Sequence, residues 1–409
     1  MKAAAQLLTD GRRSVPGPRW LAVLALACLA GAAGCLSWHG APPRPGATRF
    51  GAATVIVPAR LVGNVLIVEA KWDKFGPYHF LIDTGATETV VSPELAQRYA
   101  ATELPQPAAA NVPVRSSTGE VTVLPATILS RLELGKVRFE AVPALIYDCS
   151  TLTSQYGVKI DGLLAFPLFR EARLTLDYAR ARVILHRNDE SASPPGETIA
   201  FDNEDKRPLI PVRLGERTFD VLIDSGSDEA FSLNPAGINP KFAFGPVDGP
   251  LVSTLTGDRA EQIGRLADTL YLGRYAVPRP VVDLTDDLAA IGGGILKYFV
   301  VTFDQTRDEV TFFRDAPDPV AIPSRRGVGL SFNRTPAYWR VAAVVPASPA
   351  DNAGVAPGDL VTKINGEPVS EWTAPRYERM VANGESALLT FLNGTREADK
   401  RLRVVEIVP

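Results

Sequence analysis

Two aspartates, Asp83 and Asp224, each end an apolar, strand-like run and precede a hydroxyl residue and a glycine. The two segments read FLIDTGAT and VLIDSGSD. Two carboxylates that face each other a few ångströms apart cannot both ionise comfortably, so they share one proton. The charged carboxylate can then take a proton from water while the neutral one donates to a substrate carbonyl. The pair therefore predicts hydrolysis of an amide without a covalent intermediate.

The residues after each aspartate suit this chemistry. Gly85 and Gly226 permit a tight turn and a close approach of the opposite loop. Thr84 and Ser225 carry hydroxyls that can hydrogen-bond across to the partner loop. The apolar run before each aspartate anchors the carboxylate on a buried strand, which this chemistry requires because it tolerates little misplacement.

The two segments differ one residue further on, where Ala86 follows the first glycine and Ser227 follows the second. A hydroxyl that donates to Asp224 would favour the charged form of that carboxylate. We therefore expect Asp224 to act as the base and Asp83 as the protonated acid.

Composition excludes several other kinds of site. The chain has 409 residues, 46% of them apolar, and a net charge of −3, which does not suggest a nucleic-acid partner. Its three histidines do not pair with each other or with cysteine at metal-ligand spacing, so we expect neither a metal nor a cofactor. Short runs of β-branched residues broken by glycine and proline predict a mainly β fold.

The order of predicted elements around Asp83 recurs around Asp224, which indicates an internal duplication. Strand-like runs lead to each aspartate, and a hairpin-like segment follows it. Gly119 lies 36 residues after Asp83, and Gly257 lies 33 residues after Asp224.

The N-terminal segment resembles an export signal. Arg12, Arg13 and Arg19 precede the apolar run 20–33, which is the length of a signal-peptide core and short for a membrane span. The run ends in AAGC, so Cys35 could be lipidated as in bacterial lipoproteins, which would attach the protein to a membrane. The alternatives are a plainly cleaved signal and an uncleaved anchor. We expect the mature protein in the bacterial cell envelope or periplasm.

Composition shifts divide the rest of the chain. The predicted parts are a signal at 1–35, a flexible spacer at 36–52, a first lobe at 53–187, a linker at 188–198, a second lobe at 199–315, a linker at 316–324 and a last domain at 325–409.

The paired D-[ST]-G segments and the repeated order resemble retropepsin-like aspartic proteases. The resemblance implies two acid-protease-like β-barrel lobes that form an intramolecular pseudo-dimer, with one aspartate from each lobe. It also implies glycine-tipped flaps over the substrate, at Thr118-Gly119 in the first lobe and Thr256-Gly257 in the second.

The family usually has two apolar residues and a glycine in the strand that crosses behind the catalytic loop. We match this pattern to LLA in the first lobe, with Ala165 at the glycine position, and to GGILK in the second, with Lys297 there. On this alignment the second lobe is shortened, which predicts a distortion of that lobe.

Residues 325–409 resemble a PDZ domain, a small α+β fold. Gly327, Val328, Gly329 and Leu330 match the loop whose N–H groups receive a peptide carboxylate, and SPADNAG with GVAPGDLVTKINGEPV matches PDZ domains of bacterial proteases. The resemblance implies that a peptide adds a strand beside the one starting at Leu330.

Three functional hypotheses follow. The first is an exported aspartic endopeptidase whose PDZ domain recruits or regulates peptide or protein substrates. The second is a catalytically silent peptide-binding protein that retains the protease fold. In the third, the lobes do not pair within the chain and two chains dimerise instead.

Overall fold

Strand-forming residues dominate the chain, and the fold is mainly β. The computed structural model describes residues 46–72, 75–100, 111–115, 121–188, 193–254 and 257–409, all within one compact unit. They form two β lobes and a small C-terminal domain. Within these ranges no helix is both long and apolar enough to cross a membrane.

The first lobe combines long antiparallel strands with two short helices. Its strands are β1 (Thr48–Phe50), β2 (Thr54–Val62), β3 (Val65–Trp72), β4 (Phe75–Asp83), β5 (Thr89–Val91), β6 (Asn111–Arg115), β7 (Val121–Leu134), β8 (Val137–Ile146), β9 (Gly162–Ala165), β10 (Ala172–Asp177) and β11 (Arg182–Arg187). Its helices are α1 (Pro93–Tyr99) and α2 (Ser150–Tyr156), and a 3₁₀ turn spans Phe166–Phe169.

The second lobe repeats the arrangement with shorter strands. They are β12 (Glu197–Ala200), β13 (Leu209–Leu214), β14 (Arg217–Ile223), β15 (Phe231–Leu233), β16 (Phe242–Thr254), β17 (Gly257–Leu266), β18 (Thr269–Leu272), β19 (Tyr275–Pro278), β20 (Val281–Leu284), β21 (Ala290–Ile291), β22 (Val300–Asp304) and β23 (Glu309–Phe313). One short helix, α3, spans Gly293–Leu296.

The C-terminal domain has its own buried core around Trp339, Val361 and Leu389. Its strands are β24 (Arg325–Gly327), β25 (Leu330–Arg334), β26 (Trp339–Val344), β27 (Leu360–Ile364), β28 (Glu367–Pro368), β29 (Ser386–Asn393), β30 (Arg396–Arg403) and β31 (Val405–Val408). Its helices are α4 (Pro349–Asn352) and α5 (Ala374–Asn383), with a 3₁₀ turn at Val369–Glu371.

The two lobes share one sheet, in which the order β12-β23-β22-β10-β11-β2 takes three strands from each lobe. At its centre β10 and β22 run antiparallel, with Thr175 opposite Thr302. The two buried hydroxyls lie 2.9 Å apart. Because equivalent residues face each other here, this threonine pair marks the pseudo-twofold axis of an intramolecular dimer.

The crossing strands behind the two aspartates correct our alignment of the second lobe. β9 runs parallel to β4 with Ala165 opposite Asp83, and β21 runs parallel to β14 with Ile291 opposite Ile223. Gly292 directly follows β21 and therefore lies opposite Asp224, as Ala165 lies opposite Asp83. Gly292, and not Lys297, is thus equivalent to Ala165.

With this register the spacing from the crossing strand to the end of the shared central strand is the same in both lobes. Ala165 precedes Asp177 by 12 residues, and Gly292 precedes Asp304 by 12 residues. The second lobe therefore contains the two apolar residues and the glycine, as Ala290, Ile291 and Gly292, and the predicted shortening is wrong. Sequence matching failed here because three glycines follow Ile291 and only strand pairing selects the first.

Two predicted boundaries also shift. Thr48–Phe50, placed in the flexible spacer, forms β1 and pairs with β8 of the first lobe. In the linker after the second lobe, Val320 is buried and its N–H donates to the Ala276 carbonyl. That linker is thus packed against the second lobe.

The C-terminal domain is also attached to the second lobe. β31 pairs with β24, and its Val408 packs against Ile263 and Val281. Arg265 donates to the carbonyl oxygen of Pro409. Residues 406–409 therefore lie against the lobe, which leaves them out of the groove beside β25.

We predict that Thr302→Val lowers the free energy of unfolding by about 1–3 kcal/mol, because it leaves the buried Thr175 hydroxyl without its partner. The double variant Thr175→Val/Thr302→Val should recover most of this loss, since both partners become apolar at nearly constant volume. Urea unfolding of the wild type and the three variants measures the coupling. A double variant as unstable as the sum of the single variants would contradict the pairing.

Candidate active site

Each aspartate is positioned by a buried strand that ends at the gap between the lobes. Phe80, Leu81 and Ile82 of β4 are buried and lead to Asp83. Val221–Ile223 of β14 are equally buried and lead to Asp224. Both aspartates are half-buried. The apolar runs therefore fix the backbone while the carboxylates emerge into the gap.

The two loops approach each other so closely that each carboxylate lies against the glycine of the other. A methyl group added at Gly85 would lie 2.6 Å from Cγ of Asp224, and one added at Gly226 would lie 2.5 Å from Cγ of Asp83. Real Cβ atoms do not approach that closely, so both positions require glycine. The structure thus brings the two predicted aspartates into one site within a single chain.

Four reciprocal hydrogen bonds lock the loops together. The Thr84 hydroxyl donates to the Ile223 carbonyl (2.6 Å) and accepts from the Ser225 N–H (3.0 Å). The Ser225 hydroxyl donates to the Ile82 carbonyl (2.8 Å) and accepts from the Thr84 N–H (3.1 Å). Both hydroxyl residues are fully buried, so these bonds are shielded from competing water.

The electrostatics of the pair favour a single shared proton. Burial raises the pKa of Asp83 well above its ordinary value, and the charge of Asp224 raises it further. Hydrogen bonds from the N–H groups of Ala86 and Gly85 act in the opposite direction and lower this pKa. Burial also raises the pKa of Asp224, but the N–H groups of Gly226 and Ser227 and a hydrogen bond from Asp83 lower it. Both pKa values are raised, so the two carboxyl groups hold one proton between them and titrate as a unit.

The donor to Asp224 after the second glycine differs from the one we expected. The Ser227 hydroxyl accepts a hydrogen bond from the Glu229 N–H (3.3 Å), and it is the Ser227 backbone N–H that stabilises charged Asp224. Ala86 makes the equivalent backbone contact to Asp83 at 2.9 Å. At this position a backbone N–H therefore contacts the carboxylate in both loops, and the hydroxyl contact that we expected is not the one observed.

The predicted flaps correspond to two antiparallel hairpins. β6 and β7 pair up to Arg115 and Val121, and β16 and β17 pair up to Thr254 and Gly257. Gly257 thus begins a flap strand, whereas the tip residues Thr118, Gly119 and Thr256 lie outside the described residues.

Two residues that sequence reasoning missed also support the site. Tyr156, at the end of α2, is buried and its hydroxyl lies 3.4 Å from the Gly226 carbonyl. Asn64, in the turn between β2 and β3, donates to the Asp228 carbonyl and lies 3.1 Å from Nζ of Lys297. Neither residue stands in a motif, because each acts through a contact to the other lobe.

The loop of Gly327, Val328, Gly329 and Leu330 joins β24 to β25 in the C-terminal domain. Its Val328 and Gly329 carbonyls accept from Ala350 and Val345, at 3.0 and 2.9 Å. Among the described residues, the N–H groups of Val328 and Gly329 have no acceptor within the chain. Two free, adjacent N–H donors form a site suited to an anionic group.

Family comparisons agree with this geometry. A family model described as an aspartyl protease matches residues 68–168. This range includes Asp83, its own strand β4 and the crossing strand β9. A PDZ domain model matches residues 340–393. The chain contains a retropepsin-like aspartyl protease domain and a PDZ domain.

The matched protease segment covers only the first lobe. The second lobe is assigned to the protease domain by its repeated elements, the reciprocal hydrogen bonds and the shared sheet. No curated protein matches the chain.

We predict that Thr84→Val lowers the free energy of unfolding by about 2 kcal/mol or more, because the buried Ser225 N–H and Ile223 carbonyl lose their partner together. Thr84→Ser keeps the hydroxyl and should remain close to wild type. Urea unfolding at fixed pH compares the two. Wild-type stability in Thr84→Val, or a loss in Thr84→Ser as large as that in Thr84→Val, would contradict a dominant role for the hydroxyl.

We predict that Asp83→Asn raises the melting temperature at pH 7 but not near pH 3. The native carboxyl holds its proton more tightly than the unfolded one. The stability from this difference is fully present below the unfolded pKa of about 4 and is lost as the pH rises through the native pKa. The amide has no proton to lose. Exposed Asp315→Asn is the control and should show no such pH dependence.

Proposed function

We propose that this protein is an endopeptidase that hydrolyses peptide bonds with a water molecule activated between Asp83 and Asp224. The mutual approach of the two carboxylates, each against the glycine of the other loop, carries the proposal. The directions of their pKa shifts support it, because a pair with one proton holds a base and an acid at once.

The reaction follows from this proton distribution. Water between the carboxylates gives one proton to Asp224 as its oxygen attacks the scissile carbonyl carbon. Asp83 gives its proton to the carbonyl oxygen, and a neutral tetrahedral diol results. Asp83, now charged, takes a proton back from one diol hydroxyl while the proton on Asp224 passes to the leaving nitrogen. The C–N bond then breaks, and the pair regains its single proton.

The repeated geometry also bears on the alternative of a silent peptide-binding protein. The altered crossing strands of both lobes favour that alternative. The register of β21 removes this reason for the second lobe, where Gly292 takes the glycine position, and leaves Ala165 as the one alteration, in the first lobe. Both lobes present the same strand, turn and hydrogen bonds to the site. We therefore favour hydrolysis.

A peptide library tested from about pH 3 to pH 8, a range that brackets a shared-proton carboxylate pair, examines the proposal. We expect internal cleavage that is lost by at least a thousandfold in Asp83→Asn and in Asp224→Asn. Asp315→Asn, an exposed aspartate, should retain wild-type rates. Products that persist in both active-site variants, or no products at any pH, would refute the proposed activity.

The pH dependence of kcat/KM should be bell-shaped. Activity is lost at low pH when Asp224 becomes protonated and at high pH when Asp83 loses its proton. Because the pKa of Asp83 is raised, we expect the alkaline limb well above the ordinary carboxyl value of about 4. The two limbs belong to the pair as a unit. An alkaline limb at about pH 4 would contradict a proton held on Asp83.

We also propose export, with Cys35 as a lipid-attachment site in the cell envelope. The basic residues before the apolar run and the small residues before Cys35 support this proposal. Fractionation of cells that express wild type or Cys35→Ser, with mass spectrometry of the mature N-terminus, tests it. Wild-type protein recovered in the cytoplasmic fraction would refute export, and wild-type protein without lipid at Cys35 would refute lipid attachment.

A further inference from the structure

The two flap hairpins occupy equivalent places in their sheets. Each puts one strand at the end of a sheet, β6 beside β7 in the first lobe and β16 beside β17 in the second. Backbone pairing therefore protects the two hairpins to a similar extent. A difference in how firmly they are held must come from what packs against them.

The first flap packs against its own lobe on one face and is exposed on the other. Val112 and Val114 of β6 and Leu124 of β7 pack against the lobe core. Val121 and Val123 point to the opposite face, because side chains alternate along a strand. They are 57% and 56% exposed. The outer face of this hairpin is therefore uncovered at these positions.

The second flap is covered by the C-terminal domain. Ile263 of β17 is fully buried in one apolar cluster with Val281 of β20 and Val408 of β31. Phe244 and Val247 of β16 pack against the same cluster, and β16 also packs against β25 and β26. Movement of this flap away from the domain would return apolar surface to water, which is unfavourable.

Arg265 joins this flap to its surroundings. It lies two positions after Ile263 on β17, and its side chain is buried. Its guanidinium donates to the carbonyl oxygens of Pro409, Arg279 (2.8 Å) and Ile322 (3.3 Å). These carbonyls belong to the C-terminal domain, to the turn between β19 and β20, and to the linker before the domain. One side chain thus connects the flap to three separate segments.

A buried ion pair holds the domain beside the flap. Asp283 of β20 is buried and lies opposite Ile263 of β17. Its carboxylate lies 2.6 Å from the guanidinium of Arg325, at the start of β24. Separation of the domain from the lobe would leave this carboxylate without its partner, which is strongly unfavourable for a buried charge. The pair therefore opposes such movement.

We propose that the C-terminal domain holds the second flap as a fixed wall of the cleft, with Arg265 as its positioning residue, so that polypeptides enter by movement of the first flap alone. The inference rests on the proposed protease function and concerns how its cleft is loaded. Two identical chains at an exact twofold axis would cover both flaps equally. A single chain can cover one flap and leave the other exposed.

Amide hydrogen exchange tests the fixed wall without using activity. In the substrate-free protein we expect β16 and β17 to exchange about tenfold more slowly than residues 111–115 and 121–126 of the first flap. Equal exchange in the two flaps would overturn the inference, whether or not the protein cleaves peptides. The expected pattern in a protein that cleaves nothing would uphold the fixed flap and refute the protease function.

Two arginine variants of the second lobe separate positioning from general stability. The control is Arg213 on β13, which donates to the Gly215 carbonyl (2.9 Å) and lies 3.9 Å from the centre of the Tyr271 ring. With folding checked by melting temperature, we expect Arg265→Ala to raise KM about tenfold with little change in kcat, because a freed flap must be ordered when substrate binds. Arg213→Ala should keep the wild-type KM.

The same variants have a second readout in hydrogen exchange. Arg265→Ala should bring β16 and β17 to the exchange rate of the first flap and leave β13 and β14 protected. Arg265→Lys, which retains a charged donor, should recover part of both effects. Unchanged flap exchange in Arg265→Ala, or the same rise in KM in Arg213→Ala, would overturn the positioning role of Arg265.

A reversible lock distinguishes a wall from a lid. Ile263→Cys/Val408→Cys places two thiols in one buried cluster, between strands that pack together. We expect a disulfide to form on oxidation, and the oxidised and reduced proteins to have the same kcat/KM. Cleavage that is lost on oxidation and regained on reduction would overturn the inference and uphold the protease function. Thiols that do not join in the folded protein would count against the contact.

Discussion

The structure depends on one constraint, the close contact of two carboxylates across a pseudo-twofold axis. Water normally surrounds an ionised carboxylate, and here each one lies against the glycine of the other loop. Such proximity is unfavourable unless one proton is shared and the backbone is held by other interactions. The buried hydroxyls of Thr84 and Ser225 supply those interactions, and the sheet that both lobes share holds them in the required orientation.

The symmetry of this arrangement is close but incomplete, and its incompleteness matters for the chemistry. Both loops have the same turn and the same pattern of N–H donors, but Ala86 follows the first glycine and Ser227 follows the second. A single chain can place different residues around the two carboxylates, which two identical chains could not do at an exact twofold axis. Such differences allow one carboxyl group to serve as the acid and the other as the base.

The C-terminal domain is part of this architecture. Asp283 of the second lobe is buried and lies 2.6 Å from Arg325 at the start of the domain. Thr373 packs against Gly157 of the first lobe. The C-terminal domain is therefore attached to both lobes of the protease fold.

The sequence by itself determined the two aspartates, their glycines and hydroxyl partners, the duplicated lobes and the presence of a PDZ domain, because these depend on local motifs and periodicity. Only the tertiary structure decided that Gly292 is equivalent to Ala165, that Tyr156 and Asn64 support the site, and that the C-terminal domain packs against both lobes. Strand register and contacts between lobes join residues that are far apart along the chain. Their pairing is fixed by packing and long-range hydrogen bonds, which leave no pattern in neighbouring residues.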